Sequence, residues 1–450
     1  MQSKLARQVF GHLLCGFAPI LVPRPGRREA VSGGQAPALQ ARPGRREAVS
    51  GGQAPALQAH PGRRERAGRP RILLIRPDHI GDVLFTTPAL RLLRAHMAEA
   101  HIVFLVGPWS RRVIERNPHV DEIVTFGFPW YDRRPLPAFW RRYAALIGLA
   151  RMLSRYEFDA ALNLRSDFWW GALLTCLLRV GQRVGYDQQD CSPFLTQIVP
   201  LQGRSHSVER NLRLVEASLG LDGAASTVVE QCELDFVVTP QEQQFAAEYL
   251  QARGVDPGDP LVAIHPGVGG DMKLWTTSGF AAVAQGIQRK HGVKLLLTGS
   301  SSERGMVDEI AGKAGGNCLV AAGDTTLGQL AAIFQQCQLV IGVDSGPLHL
   351  ATACGVPTVH LFGPSDHLIY GPCGDARLHR IVRAGLACSP CNNLSAPVDR
   401  VFGGDCMLAI RAEDVLVAVE QLLDEGQGVG LGLPSRSTFQ RGGRQWTKCG

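Results

Sequence analysis

The sequence lacks any run of the ~18–20 consecutive apolar residues that a membrane-spanning helix needs, so a bilayer-embedded chain is not expected. It also lacks a convincing export signal. Val9 to Val22 is apolar behind Lys4 and Arg7, but the run is short and no A-x-A-like cleavage site follows. A cytoplasmic location is the expectation, with peripheral contact at the inner face of the cytoplasmic membrane left open. A basic folded face is missing too. The net charge is +7, yet residues 1–70 hold twelve Lys or Arg against three Glu, a surplus of +9 that leaves 7 − 9 = −2 for the rest. Nucleic acid is therefore not an expected partner. Nor is there a second paired cysteine step. Cys388-Ser-Pro-Cys391, with Cys373 before it and Cys406 after, stands alone, and a strong metal reading needs a second pair or nearby His ligands. No metal is assigned. Cys176, Cys337 and Cys354 lie in apolar runs and read as small buried hydrophobes.

What is present is a globular composition. The 450 residues are 45% apolar and 19% charged, enough for two domains with a core in each. Arg24 to Ala41 reads RPGRREAVSGGQAPALQA and is repeated letter for letter from Arg42 to Ala59, with a partial third copy from Pro61. Units rich in Gly, Pro, Ala and Arg cannot bury an apolar face, so residues 1–70 are set outside the fold as a disordered tail.

From Arg71 the pattern alternates. Short apolar runs at Arg71 to Ile75, His101 to Val106, Glu122 to Phe126 and Phe158 to Leu164 read as buried parallel strands. Helices fall between them at Pro88 to His96 (Thr87 as N-cap), from about Ser110, and near Phe139 to Arg155. A second series follows a separation near Val237 to Asp259. Its strands are Leu261 to His265, Val293 to Thr298, Leu319 to Ala321, Leu339 to Val343 and Thr358 to Phe362; its helices are Ser278 to Lys290, Glu303 to Ala314, Leu327 to Gln336 and Pro347 to Ala353. Such alternation means an α/β chain of two doubly wound, Rossmann-like domains, with ligands beyond the carboxyl ends of the strands in a cleft between them. The expected bounds are a tail over 1–70, domains over 71–238 and 239–424, and a flexible tail over 425–450.

Four strand ends carry chemistry. Arg76-Pro-Asp-His-Ile-Gly81-Asp82-Val leaves the first strand, and a carboxylate there can take the proton of an attacking hydroxyl. Asp82 is the first choice for that base, Asp78 and His79 are alternatives, and a plain capping role for Asp82 is equally compatible with its position. His265-Pro-Gly267-Val-Gly269-Gly270-Asp-Met-Lys273-Leu-Trp275 offers backbone amides and a lysine suited to a diphosphate, although a surface lysine on a loop is the plain alternative. In Thr298-Gly-Ser-Ser-Ser-Glu303, the acid either meets ribose hydroxyls or complements a helix start. Gly342-Val-Asp344-Ser345-Gly346-Pro347-Leu-His349 is the most specific block. Asp344 or Ser345 caps a helix ended by Gly355, its amino end is a ready anion site, and Ser345 and His349 share a face.

Taken in order, these blocks resemble glycosyltransferase family 9, the ADP-heptose:lipopolysaccharide heptosyltransferases and relatives, over about Arg71 to Leu423. Arg183-Val-Gly185-Tyr186 and His206-Ser-Val-Glu-Arg-Asn-Leu-Arg213 are lesser matches. The resemblance implies a GT-B architecture and inverting transfer of a heptose or related sugar from a nucleoside diphosphate, ADP-heptose foremost, to a lipopolysaccharide, glycolipid or polysaccharide acceptor. It implies no cofactor and no obligatory metal. Carried over residue by residue, Asp82 is the general base, Lys273 meets the donor diphosphate and Glu303 the ribose. Asp344, Ser345, Gly346 and His349 form the donor loop, and Arg76, His79 and Arg165 are acceptor-side candidates. Domain closure would exclude water. Val268-Gly269 departs from the hydroxyl residues this family carries there, which bears on the donor. The Arg- and aromatic-rich connection from Trp130 to Trp140 suits acceptor or membrane-surface contact, or a solvated lid. A sugar-nucleotide epimerase of the same architecture, or a non-catalytic sugar-nucleotide binding module, is the rival reading.

Overall fold

The computed structural model describes residues 11–18, 22, 68–131, 138–221, 232–316, 318–394 and 405–428. The chain divides into two compact units, Met1–Thr227 and Val228–Gly450.

The first unit is built on six parallel strands: β1 (Arg71–Arg76), β2 (His101–Val106), β3 (Glu122–Thr125), β4 (Ala160–Asn163), β5 (Gln182–Tyr186) and β6 (Gln197–Val199). Their order is β3-β2-β1-β4-β5-β6, which reverses direction between β1 and β4, the switch point where doubly wound sheets bind ligands. In β1 and β2 every residue after the first is buried, as strands covered on both faces require. Leu73, Ile75, Val103 and Leu105 meet Leu146, Leu149 and Leu153 of helix Phe139–Leu153 and Trp170, Leu173 and Leu177 of helix Trp169–Leu177.

The second unit repeats the plan with β7 (Leu261–His265), β8 (Lys294–Leu297), β9 (Cys318–Val320), β10 (Leu339–Val343), β11 (Thr358–Leu361) and β12 (His379–Val382). The order β12-β11-β10-β7-β8-β9 is the same winding, and its switch point lies between β7 and β10. Val262, Ile264, Ile341 and Val343 pack on Phe280, Val283 and Ile287 of helix Thr277–His291 and on Val415, Val419 and Leu422 of helix Ala412–Gly428.

Several expectations are corrected. The stretch set outside the fold contributes to it: Ala18 and Val22 are buried in the first unit's core, and Cys15 is disulfide-paired with Cys176, which had read as a free buried hydrophobe. An apolar segment loses less by burying against Trp170 and Phe194 than by facing water. The repeat itself lies outside the described residues. The separation assigned to Val237 to Asp259 holds helix Pro240–Gln251, fixed by a capping box between Thr239 and Glu242 and packed on helix Leu327–Phe334. The helix expected from Pro88 starts at Thr87 with Thr86 as N-cap; both hydroxyls donate backward to the Val83 and Leu84 carbonyls instead of capping. No described helix is long and apolar enough to cross a membrane.

Candidate active site

Two clusters form at the two switch points, one on each unit. In the first, Arg76 ends β1 and the chain turns through Asp78 into the short helix Ile80–Leu84. Asp82 sits in the first turn of that helix and not in an open loop. The N-cap is His79, so the plain capping alternative for Asp82 does not apply. The turn is pinned from outside by Trp109 Nε1 and Ser110 Oγ, which donate to the Asp78 carbonyl at 2.9 and 2.8 Å.

Charge organises the rest. Arg76 is buried, and its Nε lies 2.6 Å from Asp78 Oδ2. Its Nη1 donates to the Leu164 carbonyl at 2.8 Å and to Asn211 Oδ1 at 3.3 Å, and its Nη2 donates to Asp82 Oδ1 at 3.1 Å. Arg165, beyond the end of β4, reaches Asp78 Oδ1, holds Asp167 at 2.6 Å and stacks 5.2 Å from the Tyr131 ring. Burial alone would raise the Asp78 carboxyl, but the Arg76 and Arg165 charges hold it below its ordinary range. A carboxylate so enclosed is a poor general base. Asp82, with a side chain 29% exposed, is the better placed of the two. His79 is exposed beside Trp109, with ring centroids 5.4 Å apart. Asn211, which lies in the His206 to Arg213 block, also donates to the Phe85 carbonyl at 2.9 Å and so ties helix Ser207–Leu219 to this turn.

In the second cluster, β7 and β10 are neighbours, with Gly342 opposite His265. A Cβ on Gly342 would stand 2.3 Å from the His265 carbonyl oxygen, which explains a glycine in a buried strand. Beyond β10, Ser345 in extended conformation is the N-cap of helix Gly346–Ala353, and Gly355 at φ 71° follows its end. Asp344 joins the parts. Its Oδ2 lies 3.0 Å from Lys273 Nζ and its Oδ1 3.2 Å from His349 Nε2. Burial pushes the Asp344 carboxyl up, but the Lys273 charge and the His349 hydrogen bond pull it far below the carboxylate range. His349 is thus buried, with Nε2 turned onto Asp344. Ser345 Oγ is buried without a hydrogen-bond partner among the described residues.

Glu303 accepts from Ser300 N at 2.7 Å and Ser300 Oγ at 2.8 Å, closing a capping box. Its carboxylate also lies over Gly267, where a Cβ would stand 2.3 Å from Glu303 Oε1. Both readings of Glu303 therefore stay physically compatible: it caps, and it borders the glycine loop. Val268 packs against the core, which leaves that loop's polar contacts to its backbone. Trp275 is structural, donating from Nε1 to the Ile410 carbonyl at 3.1 Å. Cys388 and Cys391 are exposed and Cys406 is buried; their loop braces residues 363–366 through Ser389 Oγ on the Gly363 carbonyl and Asn392 N on the Pro364 carbonyl at 2.8 Å. Of the aromatic connection, Trp130 packs edge-on to Trp170 and Trp140 is exposed, while residues 132–137 lie outside the described residues.

The family model described as glycosyltransferase family 9 (heptosyltransferase) matches residues 146–401. The chain is similar to lipopolysaccharide heptosyltransferase 3 of Escherichia coli K12, 28% identical over 356 residues, covering 77% of this chain and 96% of the relative. Among solved structures it is similar to a family 9 glycosyl transferase from Veillonella parvula, at 26% identity and TM-score 0.64, covering 80% of this chain and 98% of that one. It also shares the fold of an E. coli heptosyltransferase solved with ADP, at 19% identity and TM-score 0.55, covering 79% and 99%. Two parallel six-strand sheets of this winding are those of the GT-B heptosyltransferase structures. The chain belongs to glycosyltransferase family 9, the heptosyltransferases, and is a glycosyltransferase.

Proposed function

We propose that the chain moves a heptose or related sugar, with inversion, from a nucleoside-diphosphate donor, ADP-heptose foremost, to a lipopolysaccharide, glycolipid or polysaccharide acceptor. The observation that carries this is the Lys273–Asp344–His349 constellation at the β7/β10 switch point, beside the partnerless Ser345 hydroxyl and the amino end of helix Gly346–Ala353. A cation, a hydroxyl and a helix start are what a departing diphosphate needs. Lys273 meets the diphosphate, Ser345 and Gly346 bind it through hydroxyl and backbone, and Glu303 takes the ribose. Asp344 and His349 serve by fixing Lys273. The ADP held by an E. coli relative of the same fold supports the choice of nucleotide.

In the reaction, Asp82 accepts the proton of the acceptor hydroxyl as its oxygen bonds to the anomeric carbon. The bond from that carbon to the diphosphate oxygen breaks at the same time, and the nucleoside diphosphate leaves with the electron pair. Arg165 and His79 stand on the acceptor side, while Arg76 is spent on protein groups. The reading puts the work in the cytoplasm, with peripheral contact at the inner face of the cytoplasmic membrane left open; the name lipopolysaccharide heptosyltransferase 3 of an E. coli relative supports it.

The test is a thermal-shift panel of ADP-, GDP-, UDP- and CMP-linked sugars. A donor at 100 times its Kd stabilises by about 2.7 kcal/mol. Stabilisation by the ADP-linked sugar alone is the expected result. A response confined to another nucleotide overturns the donor, no response to any overturns the site, and sugar isomerisation without an acceptor overturns transfer in favour of epimerisation.

A further inference from the structure

We infer that Asp78 is a positioning residue, a buried carboxylate that locks Arg76 against Asp82 and thereby aims the base. The inference rests on the reading of Asp82 as that base. Asp78 is 1% exposed and Arg76 is 6% exposed. Both Asp78 oxygens lie against guanidinium groups, Oδ2 in an ion pair with Arg76 and Oδ1 hydrogen-bonded by Arg165.

The geometry passes in one direction. Asp78 Oδ2 stands 2.6 Å from Arg76 Nε as an ion pair without hydrogen-bond alignment, the Leu164 carbonyl and Asn211 Oδ1 accept from Nη1, and the remaining nitrogen meets Asp82 Oδ1. A planar fork held on two edges cannot swing, so the Asp82 oxygen it grips is held too. A buried ionic cluster of this kind adds little to stability over apolar residues of the same volume. Its effect lies in orientation, and a misplacement of ~1 Å at a reacting group slows turnover about a hundredfold. Asp78→Asn keeps the shape, but its amide nitrogen donates and must face one of two guanidinium groups that only donate. Whichever way the amide turns, the negative charge that held both guanidinium groups is lost, and Arg76 is held less firmly.

The experiment measures kcat and donor KM with ADP-heptose and a panel of truncated lipopolysaccharide cores, using the core the unaltered chain turns over best. The variants are D78N, D82N and the double variant, with R76K alongside as a change that keeps the buried charge but loses the fork. The expectation is a fall in kcat of roughly 10- to 100-fold for D78N at unchanged donor KM, and a smaller fall for R76K. Because Asp78 acts through Asp82, D78N causes no further loss once Asp82 is Asn. A merely structural Asp78 would lower kcat by the same factor in both backgrounds, and that result overturns the inference. Unchanged kcat in D78N overturns it as well. If D78N does not fold, R76K in the same cycle decides, by the same comparison. Full turnover in D82N would instead remove the base assignment itself, an outcome distinct from either.

Discussion

Asp344 joins the parts of the cluster at the β7/β10 switch point, and a double-mutant cycle with Lys273 tests it. At the 3.0 Å separation of Lys273 Nζ and Asp344 Oδ2, the gross attraction at an effective dielectric of 20 is about 5 kcal/mol. Desolvation cancels much of that, but removing one partner of a buried pair still costs roughly 3–5 kcal/mol, because the other charge is stranded. Lys273 keeps 17% of its side-chain surface and can turn its ammonium toward water, which brings Asp344→Asn down to about 2–3 kcal/mol. Lys273→Met should be milder, about 1–2 kcal/mol, since Asp344 keeps the His349 Nε2 contact at 3.2 Å. The double variant strands neither charge, so its loss should fall short of the sum by about 1–2 kcal/mol. In a unit of this size each kcal/mol moves Tm by ~2–4 °C, giving a fall of about 4–12 °C for Asp344→Asn. Circular-dichroism melts and urea titrations read all four proteins. Additive losses, or an Asp344→Asn protein that melts with the parent, would refute the claim that the carboxylate holds the lysine in place.

Two further predictions concern the same strand ends. His265 is buried with Nδ1 2.9 Å from Thr298 Oγ1, and burial lowers its pKa to about 4. The unfolded chain therefore takes up the proton first. Stability is complete above about pH 6.5, falls as pH drops toward 4 by up to ~1.4 kcal/mol per unit, and gains no further loss from this group below that. His360, also lowered by burial, acts in the same direction; urea titrations between pH 7.5 and 4 check the slope, and His265→Gln should lessen it by one group's share. Gly267→Ala places a Cβ 2.3 Å from the Glu303 carboxylate, the far end of a flexible side chain, so the acid swings aside and the loss is that of its capping box, about 0.5–2 kcal/mol. Melting of this variant near the parent value, with ADP affinity intact by calorimetry, would show that Glu303 has no fixed place over the loop.

The central strands were legible because they are continuous apolar runs: β1, β7 and β10 are buried throughout or nearly so. The edge strands were not. β5 opens on Gln182 and Arg183, β6 has no buried residue, and β12 carries His379 and Arg380, so neither a solid run nor a clean alternation marks them. Helix Pro240–Gln251 is marked in the sequence by Thr239-Pro240 followed by Glu242, a capping-box pattern. Single residues of the site could be nominated from strand ends, but their pairing could not. Lys273 and Asp344 are 71 residues apart and meet only because β7 and β10 are neighbours. The same holds for Arg76 and Asn211, 135 apart. That Asp78 would be consumed by two arginines, and that His349 would turn inward to Asp344, are consequences of packing that spacing does not encode.

The most direct measurement pairs Asp82→Asn with ADP-heptose binding and transfer in one preparation. A carboxylate that only removes a proton should leave donor affinity by calorimetry unchanged while turnover falls about 10²–10⁴-fold. Transfer at the parent rate, or loss of donor binding together with turnover, would contradict the division of labour between Asp82 and the Lys273–Asp344 cluster.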